Sequence, residues 1–261
     1  MKFLKIHAFG NDFVVFGNPS SFTQPTKNLI SALCDRHYGV GADCAIFVGK
    51  SKNCDYSMHV YNPDGFEAEM CGNALRCAAK YVHLKGFFKK KSFICETLSG
   101  VRSVKIEDDT ITTEIGKPEI LNIGSLEIND MCLPYTFISL GNPHCVVFTA
   151  SLNDEEFEYL GPAIENHILF PEGTNVEFAA ITDNNRIAMR VWERGIGETL
   201  SCVTGSCACV AAAHNRLKMS SSVNVFQKGG IVTVDVTETG DMFVTGKCTA
   251  VFEGEFYKTD E

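Results

Sequence analysis

The chain has 261 residues, enough for one large domain or two smaller ones with a substantial buried core. Its hydrophobic content of 45% and charged content of 21% are typical of a globular protein, and its net charge of −9 argues against a nucleic-acid partner. It has no run of eighteen apolar residues and no signal-peptide pattern. We therefore expect no membrane partner and a cytoplasmic location, where the twelve cysteines stay reduced.

In chain order, short runs that alternate apolar and polar residues are interrupted by two helical segments. The run "YSMHVY" (56–61) predicts a strand that ends at the turn "NPDG". The runs "RIAMRVWE" (186–193) and "IVTVDVTETGDMFVTG" (231–246) predict three more half-buried strands. Residues 73–84 and 205–213 are rich in alanine and cysteine and predict helices. The second is apolar on almost every side, so other elements have to enclose it.

These segments predict an α/β fold of the α+β type with two pseudo-symmetric halves. Each half is expected to be a mostly antiparallel sheet curled around one central helix. The proline of "GKP" (116–118) would interrupt a strand, so we place the boundary there. The predicted halves are 1–117, joined by the C-terminal strand 249–261, and 118–248.

A cysteine precedes each predicted helix: Cys71 in "EMCGNALRC" and Cys202 in "ETLSCVTGSCACVAAA". A cysteine at a helix N-terminus lies at the positive end of the helix dipole, among N–H groups that lack helical acceptors. Both effects favour the thiolate, so we expect a thiol pKa below the free value of about 8.5. If the two thiols face each other across a cleft, one can remove a proton from a tetrahedral carbon while the other delivers a proton to the opposite face.

Two other interpretations apply to these cysteines. A single cysteine near a helix start usually packs in the core, and equivalent placement in two halves is what favours chemistry for Cys71 and Cys202. Zinc binding is disfavoured because Cys202, Cys207 and Cys209 lack the usual spacing, so we predict no metal. An inert core position is our default for five other cysteines, namely Cys34, Cys54, Cys95, Cys132 and Cys248.

Six longer blocks carry a family resemblance. In order they are "HAFGNDFVVF", "RHYGVGADCAIFV", "YNPDGFEAEMCGNALRC", "LGNPHCVVF", "PEGTNVEF" and "RVWERGIGETLSCVTGSCA", which span residues 7–208. They resemble diaminopimelate epimerase. The resemblance implies the two-half fold with a cleft, a small amino-acid substrate, and no pyridoxal phosphate or other cofactor. It also implies inversion of L,L-diaminopimelate to the meso form, for lysine and peptidoglycan biosynthesis.

The resemblance also assigns residues. It implies that Cys71 and Cys202 are the catalytic thiols. Residues at the two helix starts would hold the α-carboxylate of the reacting centre: Gly72, Asn73, Val203 and Thr204. A second group would recognise the far end of the substrate: Asn11, Asn62, Asn142, Asn175, Glu193 and Arg194. Two roles are open for His144. It can assist proton movement near a thiol, or it can be a partly buried histidine whose hydrogen bonds are satisfied.

Two positions depart from the commonest form of the family. Val203 replaces a glycine, and Cys44 stands near the presumed distal site where glycine or glutamine is more typical. They leave open a racemase of another amino acid on the same fold, such as histidine, glutamate or a proline derivative. A non-catalytic redox or metal-binding thiol protein is a third interpretation, but it leaves the asparagines and Arg194 unexplained. A homodimer is also left open.

Overall fold

The computed structural model describes residues 1–68, 71–151, 153–217 and 219–257, which contain four helices and seventeen strands. The helices are α1 (Lys27–Cys34), α2 (Gly72–Leu84), α3 (Asp154–Glu165) and α4 (Val203–Arg216). The strands are β1 (Lys2–Ala8), β2 (Asn11–Gly17), β3 (Cys44–Gly49), β4 (Tyr56–Tyr61), β5 (Ser92–Thr97), β6 (Gly100–Glu107), β7 (Thr110–Gly116), β8 (Glu119–Ile128), β9 (Met131–Ser139), β10 (Pro143–Phe148), β11 (Asn175–Asp183), β12 (Arg186–Glu193), β13 (Gly197–Glu198), β14 (Ser222–Gln227), β15 (Gly230–Val236), β16 (Met242–Lys247) and β17 (Thr249–Glu255).

The chain forms two compact units. The first contains residues 1–114 and the chain from 246 onward, and the second contains residues 115–245. Strand β17 joins the first unit because it pairs antiparallel with β1. The sequence placed the two divisions after residues 117 and 248. The last part of the predicted C-terminal strand, 258–261, lies outside the described residues.

Both units have the same strand pattern. In the first, β2 pairs parallel with β3 across α1, and β4 pairs parallel with β5 across α2. In the second, β10 pairs parallel with β11 across α3, and β12 pairs parallel with β14 across α4. The remaining pairs within the units are antiparallel. A parallel pair needs a crossover connection, and these helices provide it. The predicted mostly antiparallel fold with two similar halves is confirmed.

The two predicted helices correspond to α2 and α4 and are the central helices of the units. In α2, Leu75 and Cys77 are fully buried against strands of the first unit. In α4, the eleven residues 203–213 are all buried. Alanine and cysteine are small enough to let strands approach such a helix from several sides. Enclosure by the strands disfavours charged side chains, which explains why residues 205–213 have none.

The sequence analysis missed the outer helices α1 and α3. The Thr26 hydroxyl caps α1 by accepting from the Leu29 N–H at 3.3 Å. Asn153 and Glu156 form a capping box at the start of α3. Asn followed three residues later by Glu is a known start signal, so the sequence could have revealed α3.

Because the outer helices exist, some strands are covered on both faces rather than one. In β3, Ile46 and Val48 face the central cluster that includes α2, whereas Ala45 and Phe47 face the cluster that includes α1. The sequence analysis made no prediction for β3, which is buried along almost its whole length. The prediction of a half-buried strand is wrong for β4, in which five of the six residues are buried. Within the described residues, no helix has the length and apolar character needed to cross a membrane.

The cysteines assigned to the core by default do not all lie there. Cys34, Cys95 and Cys248 are buried, but Cys54 is half-buried. Cys132, near the start of β9, is exposed. The prediction of a core position is wrong for Cys132 because β9 begins at a surface turn after β8.

Candidate active site

In the first unit, Cys71 is the N-cap residue of α2. Its backbone is extended, with φ −145° and ψ 106°, and its Sγ accepts a hydrogen bond from the Ala74 N–H at 3.4 Å. Gly72 and Asn73 form the start of the helix and are both buried. The Cys71 side chain itself is half-buried. The predicted placement of a thiol at the start of this helix is correct.

A chain of polar side chains lies beside this helix start. The Asn73 amide donates to Asn11 Oδ1 at 3.2 Å, and the Asn11 amide donates to Asp43 Oδ2 at 2.9 Å. On the other side, the Arg76 guanidinium donates to Asn73 Oδ1. Two residues that the resemblance assigns to different ends of the substrate, Asn11 and Asn73, are thus in direct contact.

Arg76 is a functional candidate that the sequence analysis missed. It is 0% exposed, and its Nε and Nη1 have no hydrogen-bond partner among the described residues. A buried cation is costly, so its presence five residues after Cys71 needs a reason beyond packing. The signal was available, since Arg76 is the one charged residue in the segment "NALRCAA".

Cys44 and Asn62 also come together in the first unit. Cys44 begins β3 and Asn62 directly follows β4, and the pairing of Ala45 with Tyr61 places them side by side. The Cys44 thiol donates to Asn62 Oδ1 at 3.5 Å. The departure at position 44 therefore alters the immediate surroundings of one predicted binding amide.

In the second unit, Cys202 is the N-cap residue of α4, with φ −123° and ψ 116°. Its Sγ accepts from the Gly205 N–H at 3.3 Å, and its own N–H donates to Gln227 Oε1 at 2.7 Å. Val203 is the first helical residue and lies outside the positive-φ region. Valine in place of glycine therefore imposes no backbone strain here.

The electrostatic surroundings of Cys202 differ from the expectation. Burial raises the pKa of the Cys202 thiol well above its ordinary value, and the carboxylates of Glu193 and Glu177 raise it further. The Thr204 hydroxyl and the Gly205 N–H lower the pKa by less. The sequence-based prediction of a lowered pKa is wrong for Cys202, because loss of hydration outweighs the helix start.

A second polar chain begins at Cys202. Its Sγ lies 3.5 Å from Thr204 Oγ1, which accepts from the Asn142 amide at 3.4 Å. Asn142 Oδ1 lies 3.1 Å from His144 Nε2, and His144 Nδ1 lies 2.6 Å from Glu177 Oε1. His144 and Glu177 are both 0% exposed. His144 is thus a buried, hydrogen-bonded histidine connected to the thiol through two other side chains.

Glu177 was also missed by the sequence analysis. It lies in "VEFA" on β11, a run whose other residues are apolar and buried. A carboxylate in such a run could have been recognised as a functional candidate, because buried acids are rare unless they are paired.

Of the remaining predicted residues, Asn175 begins β11, Glu193 ends β12, and Arg194 lies in the turn that follows β12. Asn175 Oδ1 accepts from the Arg194 N–H at 3.0 Å, and its amide donates to Pro143 O at 2.8 Å. The Arg194 side chain is exposed and donates one hydrogen bond, from Nη1 to Glu172 O at 3.3 Å. Glu193 accepts from the Thr199 hydroxyl. Asn175 therefore fixes the backbone from which Arg194 projects.

Metal-ligand geometry is not found in the part of the chain that the structure describes: no three His, Cys, Asp or Glu residues there are grouped to hold an ion.

The fold is shared with solved structures of low sequence identity. A Bacillus anthracis protein of the phenazine biosynthesis PhzF family has a TM-score of 0.76 at 19% identity, over 97% of this chain and 98% of its own. A hydroxyproline epimerase from Agrobacterium vitis has a TM-score of 0.74 at 15% identity, over 97% of this chain and 91% of its own. At these identities the likeness defines the fold class only.

Sequence similarity defines the family. The family model for diaminopimelate epimerase matches residues 3–121 and 136–251. A protein named diaminopimelate epimerase from Pelotomaculum thermopropionicum is 38% identical, over 99% of this chain and all of its own length. One of the same name from Methanococcus maripaludis is 35% identical, over 98% of this chain and 99% of its own length. The chain belongs to the diaminopimelate epimerase family. It is accordingly an isomerase, which overturns the interpretation as a non-catalytic thiol protein.

Gly205 provides a test of how tightly α4 packs on Glu177. A Cβ at this position would lie 2.5 Å from Glu177 Oε1 and 3.1 Å from its Cδ. Alanine normally stabilises a helix by about 1 kcal/mol relative to glycine. We predict instead that Gly205→Ala lowers the free energy of unfolding by about 1–3 kcal/mol, as overpacking does. Urea unfolding measures the change.

The control for this prediction is a double-mutant cycle. In a Glu177→Ala background the clash is removed, so Gly205→Ala should become neutral or stabilising. Equal destabilisation in both backgrounds would show that the alanine Cβ does not clash with the Glu177 carboxylate.

Proposed function

We propose that the protein converts L,L-diaminopimelate to the meso form without pyridoxal phosphate, and that Cys71 and Cys202 are the acid–base pair. One observation carries the assignment of the thiols. Each is the N-cap residue of the central helix of its unit, and each sulfur accepts the N–H three residues later. The family membership supports the reaction and the substrate.

Cysteine at both caps is better explained by chemistry than by stability. Ser, Thr, Asp and Asn are the preferred N-cap residues, and a thiol sulfur is a weaker acceptor than their oxygens. A sequence selected only for helix stability would carry one of those residues at position 71 or 202. Retention of sulfur at both points to a need for a group that can be a base and an acid near neutral pH.

In the proposed reaction, one sulfur takes the α-proton as a thiolate and the other sulfur, as a thiol, delivers a proton to the opposite face. The α-carbon inverts, and the protonation states of the two sulfurs are exchanged, so the reverse reaction uses the same groups. Burial raises the pKa of the Cys202 thiol, so we assign Cys202 as the acid of the resting pair and Cys71 as the base. A raised pKa also makes Cys202 the stronger base once it has lost its proton.

The α-proton of an amino acid is too weakly acidic for a thiolate to remove without help. Negative charge that develops at the α-carbon spreads onto the α-carboxylate. We assign this carboxylate to the first turns of α2 and α4, at Gly72, Asn73, Val203 and Thr204. Helix geometry leaves N–H groups of a first turn without intrahelical acceptors, and their partial positive charge stabilises the developing anion. Closure of the site would exclude water from it.

The far end of the substrate carries a second carboxylate and amine. We assign its carboxylate to Arg194, whose planar guanidinium suits bidentate binding and whose backbone is held by Asn175. Glu193 is a suitable partner for the amine, and Asn62 and Asn142 supply directional amides. The Asn11 amide, held by Asp43, completes this group.

The proposal also includes a metabolic role, a location and an oligomeric state. The product would serve lysine and peptidoglycan precursor synthesis in the cytoplasm, where free cysteines stay reduced. A second copy of the chain is the proposed macromolecular partner, and exposed Ile120, Leu121 and Ile123 on β8 offer apolar surface for it. A sedimentation mass of one chain would contradict the dimer.

Exchange with solvent tests the proposed reaction. In D2O, wild-type protein should place deuterium at the inverted α-carbon of diaminopimelate during single turnover. Cys71→Ser and Cys202→Ser should each lower the inversion rate by at least about 10³-fold, because the hydroxyl of serine is far too weak an acid to replace a thiol. Both should remain folded, since serine is a preferred cap. Chiral chromatography and mass spectrometry provide the measurement.

Cys132→Ser is the matched control, because Cys132 is an exposed thiol of the second unit outside the proposed site. Its activity should equal that of the wild type. Inversion that persists in both Cys71→Ser and Cys202→Ser would contradict the proposed mechanism.

A second candidate keeps the reaction and changes the substrate. Val203 and Cys44 motivate it, since both depart from the commonest family residues at positions assigned to substrate. We predict that a screen of L,L-diaminopimelate, glutamate, histidine and proline detects inversion of diaminopimelate alone, because Arg194 and Glu193 require a far end that carries both a carboxylate and an amine. Activity on a monocarboxylate with none on diaminopimelate would favour this second candidate.

A further inference from the structure

The C-terminal part of α3 carries two residues that weaken a helix. Gly161 lies inside the helix, where glycine is unfavourable because it loses the most backbone freedom. Glu165 is the last helical residue, and its carboxyl group lies at the end of the helix dipole that favours cations. The two residues are four positions apart and therefore share one face of α3. Helix stability explains neither residue.

This face of α3 holds the side chain of Trp192, near the end of β12. A Cβ at Gly161 would lie 2.6 Å from Trp192 Cδ2 and 2.8 Å from its Cε3, so the indole ring packs directly on the helix backbone. The indole Nε1–H donates to Glu165 Oε2 at 2.7 Å. Gly161 therefore makes room for the ring, and Glu165 fixes its polar edge.

The second carboxyl oxygen of Glu165 holds the turn that follows β12. Glu165 Oε1 accepts from the Gly195 N–H at 2.7 Å. The turn is a β-turn, closed by a hydrogen bond from the Ile196 N–H to Glu193 O at 3.0 Å. Gly195 has a φ of +75°, which glycine adopts without strain. One carboxyl group thus binds the chain on both sides of the two residues that we assign to the far end of the substrate.

The Arg194 side chain leaves this turn along a fixed surface. A Cβ at Gly173 would lie 3.1 Å from Arg194 Cδ and 3.2 Å from its Cγ, so the aliphatic stem lies directly on the glycine backbone. The Arg194 N–H donates to Asn175 Oδ1, and Nη1 donates to Glu172 O. These contacts give the side chain one direction, and they depend on where the turn lies.

We propose that Glu165 is a positioning residue for substrate binding: it holds Trp192 and Gly195 so that the turn between them keeps Arg194 in the conformation that binds the far carboxylate. The assignment of that carboxylate to Arg194 comes from the proposed function, on which this role of Glu165 rests. Glu165 itself touches neither the substrate nor a thiol in this proposal. The two residues that weaken α3 are then explained by the binding turn.

The expected effect of losing Glu165 is on affinity and not on the chemical step. If the turn keeps its binding conformation in only about one tenth of the molecules, the apparent dissociation constant rises about tenfold. The reacting α-carbon is assigned to the starts of α2 and α4, so kcat should not change. A role in stability alone predicts the reverse, because a smaller folded fraction lowers the apparent kcat and leaves KM unchanged.

Steady-state kinetics of Glu165→Gln separate these two roles. Glutamine has the shape of glutamate, but its amide nitrogen accepts no hydrogen bond, so either the Trp192 Nε1–H or the Gly195 N–H loses its acceptor. We expect KM for L,L-diaminopimelate to rise about tenfold, with kcat changed less than about twofold. Glu158→Gln is the matched control, because Glu158 is an exposed acid earlier in the same helix. Its KM should equal that of the wild type.

Trp192 provides a second measurement that needs no substrate. It is the only tryptophan of the chain, so intrinsic fluorescence reports on this turn alone. Loss of one hydrogen bond should loosen the indole from α3. We expect the acrylamide quenching constant of the free protein to rise at least about twofold in Glu165→Gln and to stay unchanged in Glu158→Gln.

An unchanged KM in Glu165→Gln would overturn the proposal, as would a fall in kcat beyond about twofold. Equal quenching of the wild type and Glu165→Gln would also overturn it. If Glu165→Gln does not fold, Gly161→Ala decides. Alanine favours the helix but displaces the indole, so KM should rise at least about threefold with kcat retained, and an unchanged KM would contradict the proposal.

A different result would identify failure of the proposed function. A wild-type protein that does not invert diaminopimelate would contradict that function. The hold of Glu165 on the turn is then judged by Trp192 quenching alone, where a rise in Glu165→Gln supports it and equal quenching overturns it.

Discussion

A sulfur atom caps the first turn of each central helix, and the chemistry proposed for each unit depends on this contact. The N–H groups of Ala74 and Gly205 donate to the two sulfurs at 3.4 and 3.3 Å. The contact fixes where each thiol lies and directs peptide dipoles at it. Both cysteines have extended backbone, as N-cap residues do. The cap thus joins the fold to the proposed chemistry.

The two units share a backbone pattern but differ in buried charge. Five residues after Cys71, α2 carries the buried cation Arg76; five residues after Cys202, α4 carries Cys207. Charge in the second unit lies instead on Glu177, next to His144. The two thiols of the proposed acid–base pair therefore have unequal surroundings.

Structural features with a local cause could be predicted from the sequence. The composition of residues 73–84 and 205–213 predicted enclosed helices, and alternation predicted β4, β12, β15 and β16. The sequence analysis missed the outer helices. For α3, the capping box of Asn153 and Glu156 was a start signal that a search for alternating residues does not detect. The direction of the Cys202 pKa could not be read from local sequence, because burial by distant strands decides it. The charges of Glu177 and Arg76 stand out within apolar runs of the sequence, but only the tertiary structure shows that they lie beside predicted site residues.

The central claim is that Cys71 and Cys202 act on one α-carbon, which requires their sulfurs to come within a few ångströms of each other. Mild peroxide oxidation followed by peptide mapping tests this most directly, because a disulfide joins sulfurs only at short range. Cys77 and Cys248, whose sulfurs are 3.9 Å apart in the first unit, serve as the internal reference pair. We predict a Cys71–Cys202 disulfide whose formation tracks the loss of activity, is blocked by substrate and is reversed by a thiol reductant. Loss of activity with only a Cys77–Cys248 disulfide, or full activity after exhaustive oxidation, would contradict the claim.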